Sequence, residues 1–156
     1  MVRYRRNRVP GGTFFFTLTL RDRRSDLLVR HVDCLKASWR LAHHKRPHVV
    51  VAAVILPDHL HAVIRMPKGA SDYSGLWREI KKGFTRRVAP QGPTPWQARF
   101  WEHTIRDEDD LARHMDYVHI NPLKHGLVGR VCDWPHSTFH REVHRGRLAV
   151  DWGGER

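Results

Sequence analysis

Apolar and polar positions change period several times along the chain, and each change marks an element. Residues 11–20, "GGTFFFTLTL", gather aromatic and β-branched side chains behind a Gly-Gly turn signal and predict a first strand. In "DCLKASWRLAHHK" (33–45), Leu35, Trp39 and Leu41 recur at roughly helical spacing. Two apolar runs follow, "HVVVAAVIL" (48–56) and "HLHAVIRM" (59–66), and the turn dipeptide of Pro57 and Asp58 between them predicts a hairpin. The stretch "YSGLWREIKKGFTRRV" (73–88) sets Leu76, Ile80 and Phe84 at i, i+4 and i+8, which predicts a second helix. "APQGPTPWQARFW" (89–101) is rich in proline and reads as a linker or a loop over a site. A third helix, capped by Asp107 or Asp109, carries the apolar stripe Leu111, Met115 and Val118. The step from Asn121 to Pro122 predicts its end, because a residue before proline disfavours helical geometry. The chain shows no internal repeat.

This order, β-α-β-β-α and then another helix, predicts an α+β fold of ferredoxin-like type, an antiparallel sheet with helices packed on it. A length of 156 residues with 40% hydrophobic positions suits one domain with a real core. The formal charge of +12 changes the picture, since so large a cationic excess calls for a polyanionic partner, with nucleic acid foremost. No apolar run is long enough to span a bilayer, and the start "MVRYRRNRVPGGTFFFTLTL" lacks the cleavage pattern of a signal peptide, so a cytoplasmic location is expected. Cys34 and Cys132, far apart, predict neither a disulfide framework nor a cysteine zinc site.

Candidate chemistry begins at "PDHLHAVIRM" (57–66). In a strand, side chains two apart share a face, so His59 and His61 converge while Leu60 points away. With 13 histidines in the chain, an H-x-H pair reads equally as two structural histidines or as two ligands. Tyr117 and Asn121, four apart on the third helix, put a phenol and an amide on one face. An amide oxygen beside two imidazole nitrogens suits Mg²⁺ or Mn²⁺, although two histidines also admit zinc. Spacing alone leaves the bland alternatives open, a packed helix tyrosine and a helix-ending asparagine. Lys81, Lys82, Arg86 and Arg87 near the end of the second helix read either as solvated capping cations or as phosphate contacts.

The segments "YRR", "GGTFFFTLT", "PDHLHAV", "RFWEHTIRDEDDLARHMDYVHINPLKHGLV" and "DWPHSTFHREV" together resemble the REP-associated tyrosine transposases, single-tyrosine enzymes of the HUH superfamily. The resemblance runs from about residue 4 to about residue 152. It implies the HUH endonuclease palm and one transposase domain over 1–156, with a basic arm at about 1–10 and a C-terminal extension at about 122–156. His59 and His61 match the histidine pair, Tyr117 the nucleophile and Asn121 the third metal ligand. Ile120, Leu123 and "PHST" depart from the usual pattern and bear on substrate detail.

The implied activity is cleavage and rejoining of single-stranded DNA beside REP-type hairpins, through a 5′-phosphotyrosine and with a divalent metal, Mg²⁺ or Mn²⁺. Tyr4, Arg5 and Arg6 match the motif assigned to hairpin recognition, and Lys81, Lys82, Arg86, Arg87, Arg99 and Lys124 are the expected backbone contacts. Trp96 and Trp101 serve either base stacking or the core. A bacterial, nucleoid-associated monomer is expected, with a dimer as the alternative. Two other classes stand beside this one: a hydrolytic nuclease in which the histidines' metal activates water, and an inactive basic module that binds DNA or RNA.

Overall fold

The "FFF" run forms the middle of the sheet. β1 (Thr13–Thr19) pairs antiparallel with β3 (His59–Arg65) on one side and with β4 (Trp101–Thr104) on the other. β2 (Val49–Ile55) pairs antiparallel with β3, so the order is β2-β3-β1-β4, the ferredoxin-like arrangement. This computed structural model describes residues 6–154, and Tyr4 and Arg5 lie outside the described residues.

Alternation assigns the two faces. Phe14, Phe16 and Leu18 of β1, with Leu60, Ala62 and Ile64 of β3, face α2 (Val32–Lys45) and α3 (Tyr73–Val88) in the larger core. Phe15, Val63 and Val54 face the other way, toward Val118 of α4 (Glu108–Lys124). β3 is therefore covered on both sides, and every residue from His59 to Ile64 is buried. A short α1 (Leu27–Arg30) leads into α2, and α3 opens where Asp72 accepts from the Gly75 N–H at 2.9 Å.

The structure departs from the expected elements in two places. β4 directly follows the proline-rich stretch, and its four residues, "WEHT", are too few and too polar to show alternation; the strand exists because β1 offers it an edge. Trp96, within that stretch, is 1% exposed, packs against Phe84 and bridges to Leu20, so it belongs to the core, while Trp101 is 60% exposed. α4 also runs through Pro122 to Lys124. In the last turn proline forfeits only one helical bond, and a Schellman motif closes the helix beyond it. The Leu127 N–H donates to Pro122 O at 2.9 Å and the Gly126 N–H to Leu123 O at 3.0 Å, with Gly126 at φ 70°.

After α4 the chain turns back, through a 3₁₀ turn at Val131–Asp133, to cover the exposed edge of β2. Ile55 N–H donates to His136 O and Thr138 N–H to Ala53 O, both at 2.9 Å. From α5 (Phe139–His144) the Arg141 guanidinium donates to Val50 O and Val51 O. Among the described residues no helix is long and apolar enough to cross a membrane.

The start of α4 is anchored by one carboxylate. Asp107, the N-cap, accepts from the Asp110 N–H at 2.8 Å, and Asp110 reaches back to accept from the Arg106 N–H just before the cap at 2.9 Å. The buried Asp110 carboxylate also accepts from His103 Nε2 at 2.9 Å on β4 and lies 3.1 Å from His114 Nδ1 one turn on. Burial pushes this carboxyl up, but the hydrogen bonds from His103 and the Arg106 N–H, with the positive field of His103 and His114, hold it at about 2. A depressed carboxyl stabilises the fold above its ordinary pKa of 3.8 and loses that contribution as pH falls toward 2. Asp110→Asn is predicted to cost roughly 1–3 kcal/mol at neutral pH in denaturant unfolding. The gap from wild type should close as pH falls through the ordinary carboxyl range toward 2; a gap unchanged over that range would show that the charge of Asp110 contributes nothing.

Candidate active site

β1 and β3 place the histidine pair. The register sets Thr17 opposite His61 and Thr19 opposite His59, so both imidazoles stand on the α4 face beside β1 threonines. They are 6% and 4% exposed, with ring centroids 4.9 Å apart. Each is oriented through Nδ1. His59 Nδ1 donates to Asp58 Oδ1 at 2.8 Å, and Arg23 Nε in turn holds Asp58 Oδ2 at 2.6 Å. His61 Nδ1 shares a 2.7 Å hydrogen bond with Thr17 Oγ1. With Nδ1 engaged on each ring, Nε2 is the atom left for a ligand.

Burial also sets their charge. The His61 pKa falls to about 3 because the ring is desolvated, and the positive fields of His59, His125 and Lys124 push the same way. His59 is lowered by burial as well, which outweighs the raising effect of Asp58. Both rings are neutral at physiological pH, so protons do not compete for their lone pairs.

α4 lays its polar face over this pair. Tyr117, 36% exposed, has its ring 5.2 Å from that of His61, and Phe15 packs against both. One turn on, Asn121 is fully buried; its Nδ2 makes a long 3.4 Å contact to Tyr117 O. Two buried atoms here have no hydrogen-bond partner among the described residues, His61 Nε2 and Asn121 Oδ1. A buried acceptor left without a partner is unusual and asks for a ligand. An imidazole nitrogen and an amide oxygen left without partners, with His59 Nε2 also open, form a donor set that fits a divalent cation.

The helix end brings Lys124 and His125 to the site. Lys124 Nζ lies 5.0 Å from the centre of the Tyr117 ring, and the His125 ring is 5.3 Å from that of His59. His125 was not among the residues singled out from the sequence, although "NPLKHG" places it one position beyond Lys124.

The remaining expected DNA contacts divide. Arg6, Lys81, Lys82 and Arg86, joined by Arg78, line one groove of about 630 Å³ beside α3. Arg6 stacks 3.8 Å over the Phe100 ring and pairs with Glu102, and Lys81 Nζ donates to Gln97 O at 3.0 Å. Arg99 is exposed nearby and its charge bears on Arg6. Arg87 turns aside, donating to Ser38 Oγ and Gly83 O at 3.1 Å. Arg78 had a signal in the sequence, since it precedes Lys81 and Lys82 by one helical turn.

A second metal-capable group lies at the start of α4. Ligand atoms of His103, Asp110 and His114 all fall within 4.8 Å of one another. The i, i+4 spacing of Asp110 and His114 was readable, but the approach of His103 depends on β4.

The Thr17 hydroxyl generates a prediction. Thr17→Val keeps the shape and removes the hydrogen bond to His61, and is expected to weaken Mn²⁺ binding by roughly 10- to 100-fold in calorimetric titration. Unchanged affinity would show that the Nδ1 partner plays no part in presenting Nε2.

No family model matches the chain. It is 47% identical over 155 residues, 99% of this chain and 93% of the relative, to the REP-associated tyrosine transposase of Escherichia coli K12. A Haemophilus influenzae protein given the same name provisionally is 38% identical over 166 residues, covering 99% of this chain and 94% of its own. A solved REP-associated tyrosine transposase bound to a REP hairpin superposes with a TM-score of 0.93 at 46% identity, covering 100% of this chain and 98% of that one. A Deinococcus radiodurans structure at 18% identity shares the fold alone, with a TM-score of 0.51 over 75% of this chain and 95% of its own. With near-complete coverage at such identity, and with the paired histidines facing the helix tyrosine, the chain belongs to the REP-associated tyrosine transposases.

Proposed function

We propose that this transposase cleaves and rejoins single-stranded DNA beside REP-type hairpins, with Tyr117 as nucleophile and His59, His61 and Asn121 as metal ligands. The observation that carries the reading is the orphaned pair His61 Nε2 and Asn121 Oδ1, the first on a ring that meets the Tyr117 ring and the second one helical turn beyond Tyr117. A bound divalent metal, Mg²⁺ or Mn²⁺, supplies Lewis-acid polarisation of the scissile phosphate and a template for its orientation.

The chain's own residues do the rest. Tyr117 is partly exposed while His59, His61 and Asn121 are buried, which suits a side chain that meets a strand lying over the site. The Tyr117 oxygen attacks phosphorus, the P–O bond to the 3′-oxygen breaks, and that oxygen leaves as a 3′-hydroxyl after taking a proton. The product is a 5′-phosphotyrosine. A 3′-hydroxyl of another strand end reverses the step, re-forming a phosphodiester and releasing Tyr117, so joining needs no separate energy source. Lys124, beside the phenol ring, adds positive charge where the phosphate must sit.

The hairpin class follows from the solved relative bound to a REP hairpin. The α3 groove, with Arg6, Lys81, Lys82 and Arg86, is the proposed track for the backbone, helped by Arg99, and it makes affinity strongly salt dependent. Tyr4 and Arg5 stand immediately before Arg6 and extend the same basic stretch. One chain carries the proposed nucleophile and all three proposed ligands, with the Tyr117 ring against that of His61, which supports action as a monomer. The cationic excess suits a bacterial cytoplasmic protein held near the nucleoid.

The test is a denaturing gel of hairpin oligonucleotides with single-stranded flanks, incubated with the protein and Mn²⁺. A protein-linked DNA band that EDTA removes and Tyr117→Phe abolishes, with cleavage falling at least a thousandfold in that variant, is the expected result. Cleavage that survives Tyr117→Phe without an adduct would replace this reading with the water-activating hydrolase.

A further inference from the structure

Away from the tyrosine, the opposite face of the sheet holds a cavity of about 470 Å³ between α2 and the stretch that covers the β2 edge. Its size falls within the roughly 300–1,000 Å³ of small-molecule sites. Val50, Ala53 and Ile55 of β2 give it an aliphatic floor. Trp39 forms one wall and Pro135 another.

The walls are held in place. The Trp39 Nε1–H donates to His48 Nε2 at 3.0 Å, and His48 Nδ1 in turn donates to Arg46 O at 2.8 Å. His43 Nε2 donates to His48 O at 2.9 Å, and the Trp39 ring meets Trp77 edge to face at 5.2 Å. The indole is therefore a fixed plate. On the other side, the hydrogen bonds of His136 and Thr138 to β2 pin the backbone of the covering stretch. A cavity with both walls tied to the sheet does not have to be ordered by its ligand.

The charges around it have one sign. Lys36 and Arg40 stand one turn apart on the exposed side of α2, and the half-buried Arg141 closes the far end. Among the described residues no carboxylate lines the cavity; Asp33, whose field reaches His136, and Glu142, 3.8 Å from Arg141 Nη2, lie outside the lining. Two lining residues also carry buried nitrogens without a hydrogen-bond partner among the described residues, His136 Nδ1 and Arg141 Nε. The Arg141 nitrogen can only donate. An occupant must then bring acceptor oxygens and negative charge together with a flat apolar body, which a bare phosphate lacks.

We propose that this cavity is a second nucleotide site, taking one unpaired deoxynucleoside phosphate with its base on the Trp39 and Ile55 surfaces and its phosphate toward Lys36 and Arg40. Stacking on a fixed indole accepts any base, and the paired cations hold the backbone. The nucleotide comes either from an unpaired position of the DNA on which the enzyme acts or from free nucleotide in solution; both present the same chemistry. The proposal goes beyond the tyrosine reaction and does not depend on Tyr117.

The test uses the full chain labelled with 5-fluorotryptophan, its Trp39 ¹⁹F resonance assigned with Trp39→Phe. Titration with deoxyadenosine monophosphate is expected to shift that resonance saturably, with at least tenfold weaker binding in the Lys36→Glu, Arg40→Glu double variant. Both substituted residues are exposed and lie outside the tyrosine site, and unchanged resonances from the other tryptophans report an intact fold. Competition by an oligonucleotide with unpaired flanks identifies DNA as the source; a shift without competition identifies free nucleotide. No shift, a shift untouched by the double variant, or an equal shift with inorganic phosphate alone would overturn the nucleotide site. Tyr117→Phe protein should bind the mononucleotide as wild type does, so loss of the adduct and loss of this site are read separately.

Discussion

Two imidazoles stand on a strand buried from both sides, and the cost of charging them there shapes the rest of the site. Desolvation keeps His59 and His61 neutral, while Asp58 and Thr17 take up their Nδ1 atoms. Nε2 is then the one position on each ring left to act. That arrangement needs β1 in one register, with Thr17 facing His61, and it needs a covering helix that brings a buried polar atom over the pair. α4 meets the second demand with Asn121, fully buried between Val118 and Pro122, with its oxygen turned to no protein donor among the described residues.

The helix that carries Tyr117 and Asn121 is fixed at both ends by means unrelated to the chemistry. At its start, Asp110 ties the first turn to β4 through His103. At its end, the Schellman turn at Gly126 lets the helix outlast Pro122 and bring Lys124 beside the Tyr117 ring. For Tyr117 as the proposed nucleophile such a mounting matters, because small displacements of reacting atoms cost rate steeply. Positive charge is divided between the α3 groove and this helix end, which suits a strand held along its backbone and worked on at one phosphate.

Much of this was legible in the sequence, for physical reasons that differ by element. The period of α3 comes from one-sided burial, which writes itself into every third or fourth residue, and "FFFTLT" reads as a strand from its aromatic and β-branched side chains. The histidine pair was visible because strand geometry alone puts His59 and His61 on one face. The motifs resembling the transposase family joined that pair to Tyr117 and Asn121, which spacing by itself could not do. β4 was hidden because a four-residue edge strand draws its order from β1 rather than from its own pattern. The end of α4 was misplaced because Pro122 speaks for the residue before it, whereas the turn at Gly126 decided the boundary. The approach of His103 to Asp110, and the cavity closed by His136 and Arg141, bring together residues whose contact depends on the finished sheet.

The central claim is that His59, His61 and Asn121 form the metal site that serves Tyr117. Anomalous diffraction from crystals of the full chain grown with Mn²⁺ tests it most directly. The account predicts a peak bounded by His59 Nε2, His61 Nε2 and Asn121 Oδ1. A peak found instead at His103, Asp110 and His114, with none beside Tyr117, would contradict it.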